Sequence, residues 1–378
     1  MKVSSFIARH LRFKGKIAVV AIAISFLVII ISVAVASGFR KEMQKGLSDM
    51  AGDIVVSYGA VNDLNEQDPV RVDNQLLEDL GSVRGVDSVR AVIYRYGIVK
   101  SDDRIQGVLV KGVSSDDTLA LGVRIPRRLS KLMDLHEGDE MLTYFVGEKV
   151  KARKFKVTGV YDAMMDSPDN LVVFARLQDL QRLAGWDASE AGALEICLDP
   201  KHNSPQAASV ATAEVAEVSE MMAQSLYDRY PSLFDWLNLV DGNVVAILFL
   251  MIVVAAFNMI SGLLIMLFRS ISTIGIMKSM GMTDAQVSAA FLKVSARAVA
   301  LGMAVGNAVA LAFCLVQGKT HFLKLDPTNY FVPFVPVNVN PASVLTVDAV
   351  AFVAIMLFLL IPTLFISRVD PAKTVRTR

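Results

Sequence analysis

Four long apolar runs divide the chain, and each is long enough to cross a membrane. The first, Ile17–Ser37, has 21 residues without a charge and would cover roughly 30 Å as a helix, about one bilayer core. It exceeds the apolar run of a cleavable signal peptide, so we expect it to be retained. The others are Val244–Phe268, Ala298–Val316 and Val344–Ile366, and Asp348 in the last is expected near the headgroups.

Segment 38–243 has the short alternating runs of a water-exposed α+β domain. Its last helix is expected over Ser204–Arg229, leading back to the membrane. The predicted fold class is a membrane protein with four transmembrane α-helices (1 + 3) and a large α+β extracytoplasmic domain inserted between helices 1 and 2. Predicted hairpins are Val89–Lys100 with Ile105–Gly112 and Met141–Val146 with Val150–Tyr161; other strands are Asp53–Tyr58, Leu171–Phe174 and Leu194–Leu198, and other helices are Asn74–Leu80, Pro126–Leu135 and Arg176–Leu183.

Charge is distributed unevenly around the predicted spans. Segments 1–16, 269–297 and 367–378 together hold 13 basic and 2 acidic residues, whereas loop 317–343 holds 2 basic and 1 acidic. Because basic flanks stay in the cytoplasm, both termini and segment 269–297 are expected there. Segment 38–243 holds 23 basic and 33 acidic residues and is expected on the opposite side with loop 317–343.

Composition and motifs argue against several classes of chemistry. The chain is 53% hydrophobic, and its two cysteines, Cys197 and Cys314, are too few for a disulfide framework or a multi-cysteine metal site. No P-loop, Gly-x-Ser-x-Gly or nucleic-acid motif occurs, so no nucleotide, catalytic serine, metal or nucleic-acid site is expected. Three acidic groups could be paired catalytic acids but are expected to be solvated turns: Asp102 with Asp103, Asp116 with Asp117, and Asp162 with Asp166 and Asp169.

Segment 269–297 predicts two helices. The first ends at Gly281, a helix-stop residue, and the second begins at Thr283, where Gln286 completes a capping box. A short helix with isoleucine and methionine directed to the cytoplasm needs an apolar groove to cover it. The pattern alone leaves open whether a partner protein or the lipid headgroups provide that cover. Helical spacing relates Ile271, Ile274 and Lys278, and separately Ile276 and Met280.

Two motifs resemble a known family of transporters. Residues 257–263 (FNMISGL) and 274–281 (IGIMKSMG) resemble the span-two and coupling-helix signature of FtsX/MacB-type ABC permeases. Within these, the chain is most similar to permeases of the lipoprotein-releasing system, the LolC/LolE type. Gly38-Phe39, Gly159–Asp162, Leu177–Gln181 and Asp370–Arg376 add to the resemblance, which covers nearly the whole chain.

The resemblance implies a non-catalytic permease subunit in the bacterial inner membrane, with both termini cytoplasmic and the large domain periplasmic. Its implied partners are a dimer of a cytoplasmic ABC ATPase, which binds the ATP and Mg, a second permease subunit of the same or a related chain, membrane lipid and a lipoprotein substrate. A periplasmic lipoprotein carrier is a further implied partner, but the turn Val146–Val150 is shorter than the family's hook and leaves carrier docking open. Arg269 stands where relatives often have an acid, which leaves the polar contact with the ATPase open.

The implied mechanism is mechanotransmission, in which ATP-driven movement inside the cell reaches the outer domain through stiff helices and extracts lipoproteins from the outer leaflet. A MacB-type efflux permease and an FtsX-like signal transmitter that activates a cell-wall hydrolase are the alternatives. The implied ATPase-coupling residues are Ile271, Ile274, Gly275, Ile276, Lys278, Met280 and Gly281. The expected lipid cavity, between span one of one subunit and span two of its partner, is lined by Ile24, Val28, Ile31, Val35, Val254, Phe257, Ser261 and Ile265.

Overall fold

The computed structural model describes residues 16–59, 68–101, 104–114, 120–145, 150–162, 171–326, 330 and 332–363. Within them the chain forms two compact units. The helical unit takes the described residues up to Lys41, Trp236–Lys324 and those from Val335 onward. The sheet unit takes the described residues of Glu42–Asp235 and Leu325–Phe334.

Helices and strands are numbered along the chain. The helices are α1 (Lys16–Ala51), α2 (Asn74–Ser82), α3 (Arg127–Met133), α4 (Leu177–Ala184), α5 (Pro205–Ser219), α6 (Leu226–Arg229), α7 (Pro231–Arg269), α8 (Ile271–Ser279), α9 (Asp284–Thr320), α10 (Pro341–Phe358) and α11 (Leu360–Thr363). The strands are β1 (Ile54–Ser57), β2 (Val70–Arg71), β3 (Val86–Ser101), β4 (Arg104–Val113), β5 (Gly122–Pro126), β6 (Glu140–Phe145), β7 (Lys151–Tyr161), β8 (Val172–Arg176), β9 (Glu190–Ala191), β10 (Ala193–Leu198) and β11 (Met222–Ser225).

In the part of the chain that the structure describes, four helical stretches are long and apolar enough to cross a membrane: α1, α7, α9 and Pro341–Thr363. Each predicted span falls on one of them, which confirms the four-helix prediction, although the last span runs beyond the described residues. The helices that contain spans one and two are longer than the predicted spans. α1 continues from Ser37 to Ala51, and α7 begins at Pro231, before Val244.

Apolar side chains from all the long helices form the core of the helical unit. Ile22 and Phe26 of α1 pack in one cluster with side chains of α7, α8, α9 and α10. α9 lies close to α1 at two glycines. A Cβ at Gly302 would lie 2.8 Å from Cγ2 of Ile22, and one at Gly306 would collide with the carbonyl oxygen of Ala23. This contact therefore requires glycine, as close helix packing in membranes often does.

Nine strands of the sheet unit form one mixed sheet in the order β11-β1-β10-β3-β4-β8-β5-β7-β6. β3 is 16 residues long and pairs with β10 through its first half and with β6 through its second half. The β3–β6 pairing closes β3, β4, β8, β5, β7 and β6 into a ring. Both predicted hairpins, β3–β4 and β6–β7, are confirmed as antiparallel pairs.

Two large apolar cores lie among the described residues of the sheet unit. One fills the ring of strands and is covered by α3 and α4, with Val110, Ile125 and Leu180 among its fully buried members. The other lies between the β1–β10 part of the sheet and the helices α2 and α5. The predicted α+β class is therefore confirmed for this unit.

The predicted helix Ser204–Arg229 is wrong. Helix α5 ends at Ser219, and Glu220 takes a left-handed conformation with φ of 54°. The chain then forms strand β11, which pairs antiparallel with β1, and the short helix α6. Pairing with the edge of the sheet overrides the helical propensity of the local sequence. The helix that leads into span two is α7, which begins only at Pro231.

Candidate functional site

The predicted break between two helices in segment 269–297 is confirmed. α8 ends at Ser279, and Gly281 has a φ of +87°, which glycine adopts without strain. α9 then begins behind the predicted capping box. The amide of Gln286 donates to the Thr283 hydroxyl at 3.3 Å, and the Thr283 amide donates to the Gln286 side-chain oxygen at 3.2 Å.

The two faces of α8 differ in burial, and this corrects the role expected of two residues, Ile274 and Gly275. Ile274 is 1% exposed and belongs to the core of the helical unit, and Gly275 is also buried. Neither can present itself to a partner protein. Ile276 and Met280 are 53% and 79% exposed. The uncovered apolar contact surface of this segment therefore consists of Ile276 and Met280.

The other predicted coupling residues occupy intermediate or exposed positions. Ile271 is half-buried, and Gly281 is exposed. Lys278 is mostly covered, and its ammonium lies 2.8 Å from the Asp284 carboxylate at the start of α9. This ion pair ties α8 to α9 across the turn, so Lys278 holds the segment together. Arg269, the last residue of α7, is exposed.

The residues predicted to line a lipid cavity lie on uncovered or partly covered helix faces. On α7 the four positions Val254, Phe257, Ser261 and Ile265 share one exposed face, opposite the buried Met259. The Ser261 hydroxyl donates a hydrogen bond to the Phe257 carbonyl at 3.0 Å, which leaves that face largely apolar. On α1, Ile24 is exposed and the other three are half-buried: Val28, Ile31 and Val35. The cavity itself involves a second subunit and stays a prediction.

The far end of α1 lies in the sheet unit and is capped by two cations. The Lys111 ammonium donates to the carbonyl of Met50 at 2.5 Å, and Arg229 donates to that of Ala51 at 2.8 Å. The last turn of α1 contains no basic residue of its own. Because a helix carboxyl terminus carries partial negative charge, these two side chains hold it in place.

Lys111 belongs to a buried charged group. It is 2% exposed, and its Nζ lies 2.6 Å from an oxygen of Glu195, which is 1% exposed. The hydroxyl of Tyr94 donates to the same carboxylate. Burial, opposed by the charge of Glu195, lowers the pKa of Lys111, and burial with the Glu195 charge raises the pKa of Tyr94. The polar atoms of this group bond to one another and to the end of α1.

Asp348 does not lie free at a helix start. It is buried in α10, where the side-chain amide of Asn307 on α9 donates to its Oδ2 at 2.6 Å. The pair links two of the long helices in the helical unit. The position near the headgroups predicted for Asp348 is not tested by this contact.

One of the acidic groups considered as a catalytic candidate is described in part. Arg127 donates two hydrogen bonds to the Asp162 carboxylate, and these bonds hold the pKa of Asp162 below its ordinary value. Both side chains are exposed, so this is a solvated ion pair. The other candidates lie outside the described residues: Asp102, Asp103, Asp116, Asp117, Asp166 and Asp169.

Comparison with known families assigns the chain. Residues 17–214 match the MacB-like periplasmic core domain, more than half of the chain, and residues 245–371 match the FtsX-like permease C-terminal domain. The chain belongs to the FtsX/MacB superfamily of ABC transporter permeases. This confirms the resemblance read from the FNMISGL and IGIMKSMG motifs. Members of this family are permease components of ABC transporters.

Individual relatives of this permease carry more specific names. The lipoprotein-releasing system transmembrane protein LolC of Neisseria meningitidis serogroup B is 23% identical over 95% of this chain and 93% of its own length. The protein of the same name from Xylella fastidiosa is 22% identical over 95% of this chain and 92% of its own. Among solved structures, the periplasmic region of MacB from Actinobacillus actinomycetemcomitans is 12% identical, covers 50% of this chain and 95% of that one, and has a TM-score of 0.32.

Several important residues of the permease were not found by reading its sequence. Lys111 directly follows the apolar run Val108–Val110 in β4, and Glu195 interrupts the otherwise apolar strand β10. A charge in such a run is the signal that could have indicated a buried pair. Gly302 and Gly306 are four residues apart in span three, the spacing typical of close helix contacts. The hook-like turn of the family would fall near residues 146–149, which lie outside the described residues.

Proposed function

We propose that this permease extracts lipoproteins from the outer leaflet of the bacterial inner membrane, driven by a separate cytoplasmic ABC ATPase. Two permease subunits, identical or related, pair above an ATPase dimer that binds the ATP and Mg. The amino and carboxyl termini and α8 lie in the cytoplasm, and the sheet unit lies in the periplasm. The similarity to proteins named LolC over 95% of the chain supports this choice of cargo.

The observation that carries the proposal is the uncovered apolar face of α7. Phe257 is 64% exposed, and Val254 and Ile265 lie on the same side of the helix. Such a face can accept acyl chains, because each buried methylene contributes roughly 0.8 kcal/mol. The burial of many methylenes in the membrane also explains the need for ATP. A cargo with several acyl chains is extracted only if this free energy is supplied.

The proposed transmission uses two long helices. α7 is a single helix of 39 residues, about 58 Å long at 1.5 Å per residue, and α8 follows it after one residue. α1 is 36 residues long and ends at the cations Lys111 and Arg229. In this proposal a displacement of α8 by the ATPase tilts α7, and the capped end of α1 moves with the sheet unit. A periplasmic carrier then receives the lipoprotein.

Site-specific photocrosslinking in intact membranes tests the cargo. A photoreactive amino acid replaces Phe257, and a matched probe replaces Met259, which lies on the same helix but is 0% exposed. We expect crosslinks from position 257 to acylated proteins when the ATPase is present, and few from position 259. Crosslinks to a cell-wall hydrolase, to small amphiphiles only, or equal acyl-protein yields from both positions would contradict lipoprotein release.

A further inference from the structure

A cavity of about 230 Å³ opens on one face of the sheet. Strands β3, β4, β5, β8 and β10 each contribute side chains to its lining, and Asp49 near the end of α1 completes the wall. Water occupies about 30 Å³ per molecule in the liquid, so the space is large enough for a small organic anion. Its charged and aromatic lining residues are Asp49, Arg90, Lys111, Arg124, Phe174 and Glu195.

Two of the charges in this cavity already neutralise each other. The buried Lys111 ammonium contacts both carboxylate oxygens of Glu195, at 2.6 and 2.8 Å. Tyr94 donates to the same carboxylate. The pair has no net charge, and both oxygens of Glu195 accept a hydrogen bond. It therefore forms a polar wall that does not repel an anion strongly.

Among the described lining residues, the remaining charges leave one cation in excess. Arg90 donates one hydrogen bond to the sulfur of Cys197 and is attracted to the carboxylate of Asp49. Among the residues that the structure describes, no acid forms an ion pair with Arg124, and its guanidinium lies 5.7 Å from the centre of the Phe174 ring. An arginine placed over an aromatic ring keeps its N–H donors available for other partners.

From this arrangement we infer that the cavity binds a ligand carrying an oxyanion, a phosphate or a carboxylate, with Arg124 as the principal contact. A planar guanidinium matches two oxygens of such a group with two parallel hydrogen bonds. Arg90 and the Ser114 hydroxyl, which also line the cavity, supply further donors. The apolar wall formed by Val92, Val113 and Phe174 suits an organic portion of the ligand beside its charged group.

The position of the cavity gives such a ligand access to the joint at the end of α1. Lys111 lines the cavity and also donates to the Met50 carbonyl. An oxyanion at Arg124 therefore lies beside the same ammonium that caps the helix. The inference does not depend on the nature of the transported cargo, because it concerns the sheet unit alone.

The test uses the full-length chain in nanodiscs of phosphatidylcholine. Two probes, inorganic phosphate and glycerol 3-phosphate, are added, and their binding is measured by the broadening of their phosphorus NMR lines. We expect both probes to bind and Arg124→Gln to weaken binding by about tenfold. The control is Arg153→Gln, which removes an exposed arginine of β7 outside the cavity lining. Arg124 is exposed, so thermal unfolding should be the same in both variants.

The two probes also separate the sources of the ligand. Tighter binding of glycerol 3-phosphate identifies a lipid headgroup as the better ligand, and equal binding identifies a free anion. The inference is overturned if neither probe binds, or if Arg124→Gln and Arg153→Gln weaken binding equally, since that would indicate only a general attraction to positive charge.

Discussion

Lys111 and Glu195 are two full charges whose side chains are only 2% and 1% exposed, a costly arrangement unless both are fully bonded. Their partners account for it. Glu195 accepts from Lys111 and Tyr94, and Lys111 also donates to the last turn of α1. The pair therefore does more than fill the interior, because it brings a positive charge to the carboxyl end of the longest helix in the first half of the chain.

Removing the cation alone should be far more harmful than removing both charges. Lys111→Met leaves the Glu195 carboxylate buried without a cation, a loss of about 3–5 kcal/mol in the free energy of unfolding. Lys111→Met with Glu195→Gln keeps an acceptor for Tyr94 and should recover much of that loss. Denaturant unfolding of the full-length protein in detergent measures both variants. Equal stability of the single and double variants would show that the pair is not an isolated buried ion pair.

Residue roles were the least predictable part of the chain. Helical spacing correctly groups Ile271, Ile274 and Lys278, but it does not show which side of a short amphipathic helix faces the protein. Ile274 is buried by residues distant in sequence, and only the fold reveals this. An Ile274→Asp substitution would disrupt the core and would not test coupling to a partner.

At the scale of elements, predictions succeeded where the deciding signal is local. The break at Gly281 and the cap at Thr283 are set by a few adjacent residues, and both are confirmed. The predicted helix Ser204–Arg229 is wrong because strand β11 forms on the edge of β1, a partner more than 160 residues earlier in the chain. The local sequence of β11 does not indicate that it pairs with β1. The same is true of the parallel pair β5–β7.

The α1–α9 contact gives a sharp prediction for an element. Gly306→Leu would place a side chain against the Ala23 carbonyl and Phe26, so the helices must separate. We expect a loss of about 1–3 kcal/mol or more, as for other overpacked sites. Thermal unfolding in detergent measures this loss, and Ala304→Leu, at an exposed position of the same helix, is the control. If Gly306→Leu is no less stable than Ala304→Leu, then the two helices do not meet at this glycine.

At the scale of the whole molecule, hydropathy alone was sufficient to predict the arrangement of one span, a large domain and three spans. A membrane helix must be apolar over a length set by the bilayer, so its signal is long and continuous. The closed ring of six strands could not be predicted in this way, because it depends on the β3–β6 pairing. The family could likewise be recognised from short continuous motifs, whereas no single segment of the sequence encodes the proposed cargo.

The central proposal is that an ATPase drives the permease through the exposed apolar side of α8. The most direct test adds a charge there without touching the core, with the variant Ile276→Asp. Its control is Ala285→Asp, at an exposed position in the first turn of α9, where an acid is well tolerated. Lipoprotein release and ATP hydrolysis are measured together in proteoliposomes that contain the permease, its partner subunit and the ATPase.

We expect the Ile276→Asp permease to insert and to assemble with normal stability. It should release about tenfold less lipoprotein for each ATP hydrolysed, because a charged side chain cannot be buried in an apolar groove at low cost. The Ala285→Asp permease should retain normal release. Unchanged release by the Ile276→Asp permease, at equal amounts of assembled protein, would contradict coupling through α8.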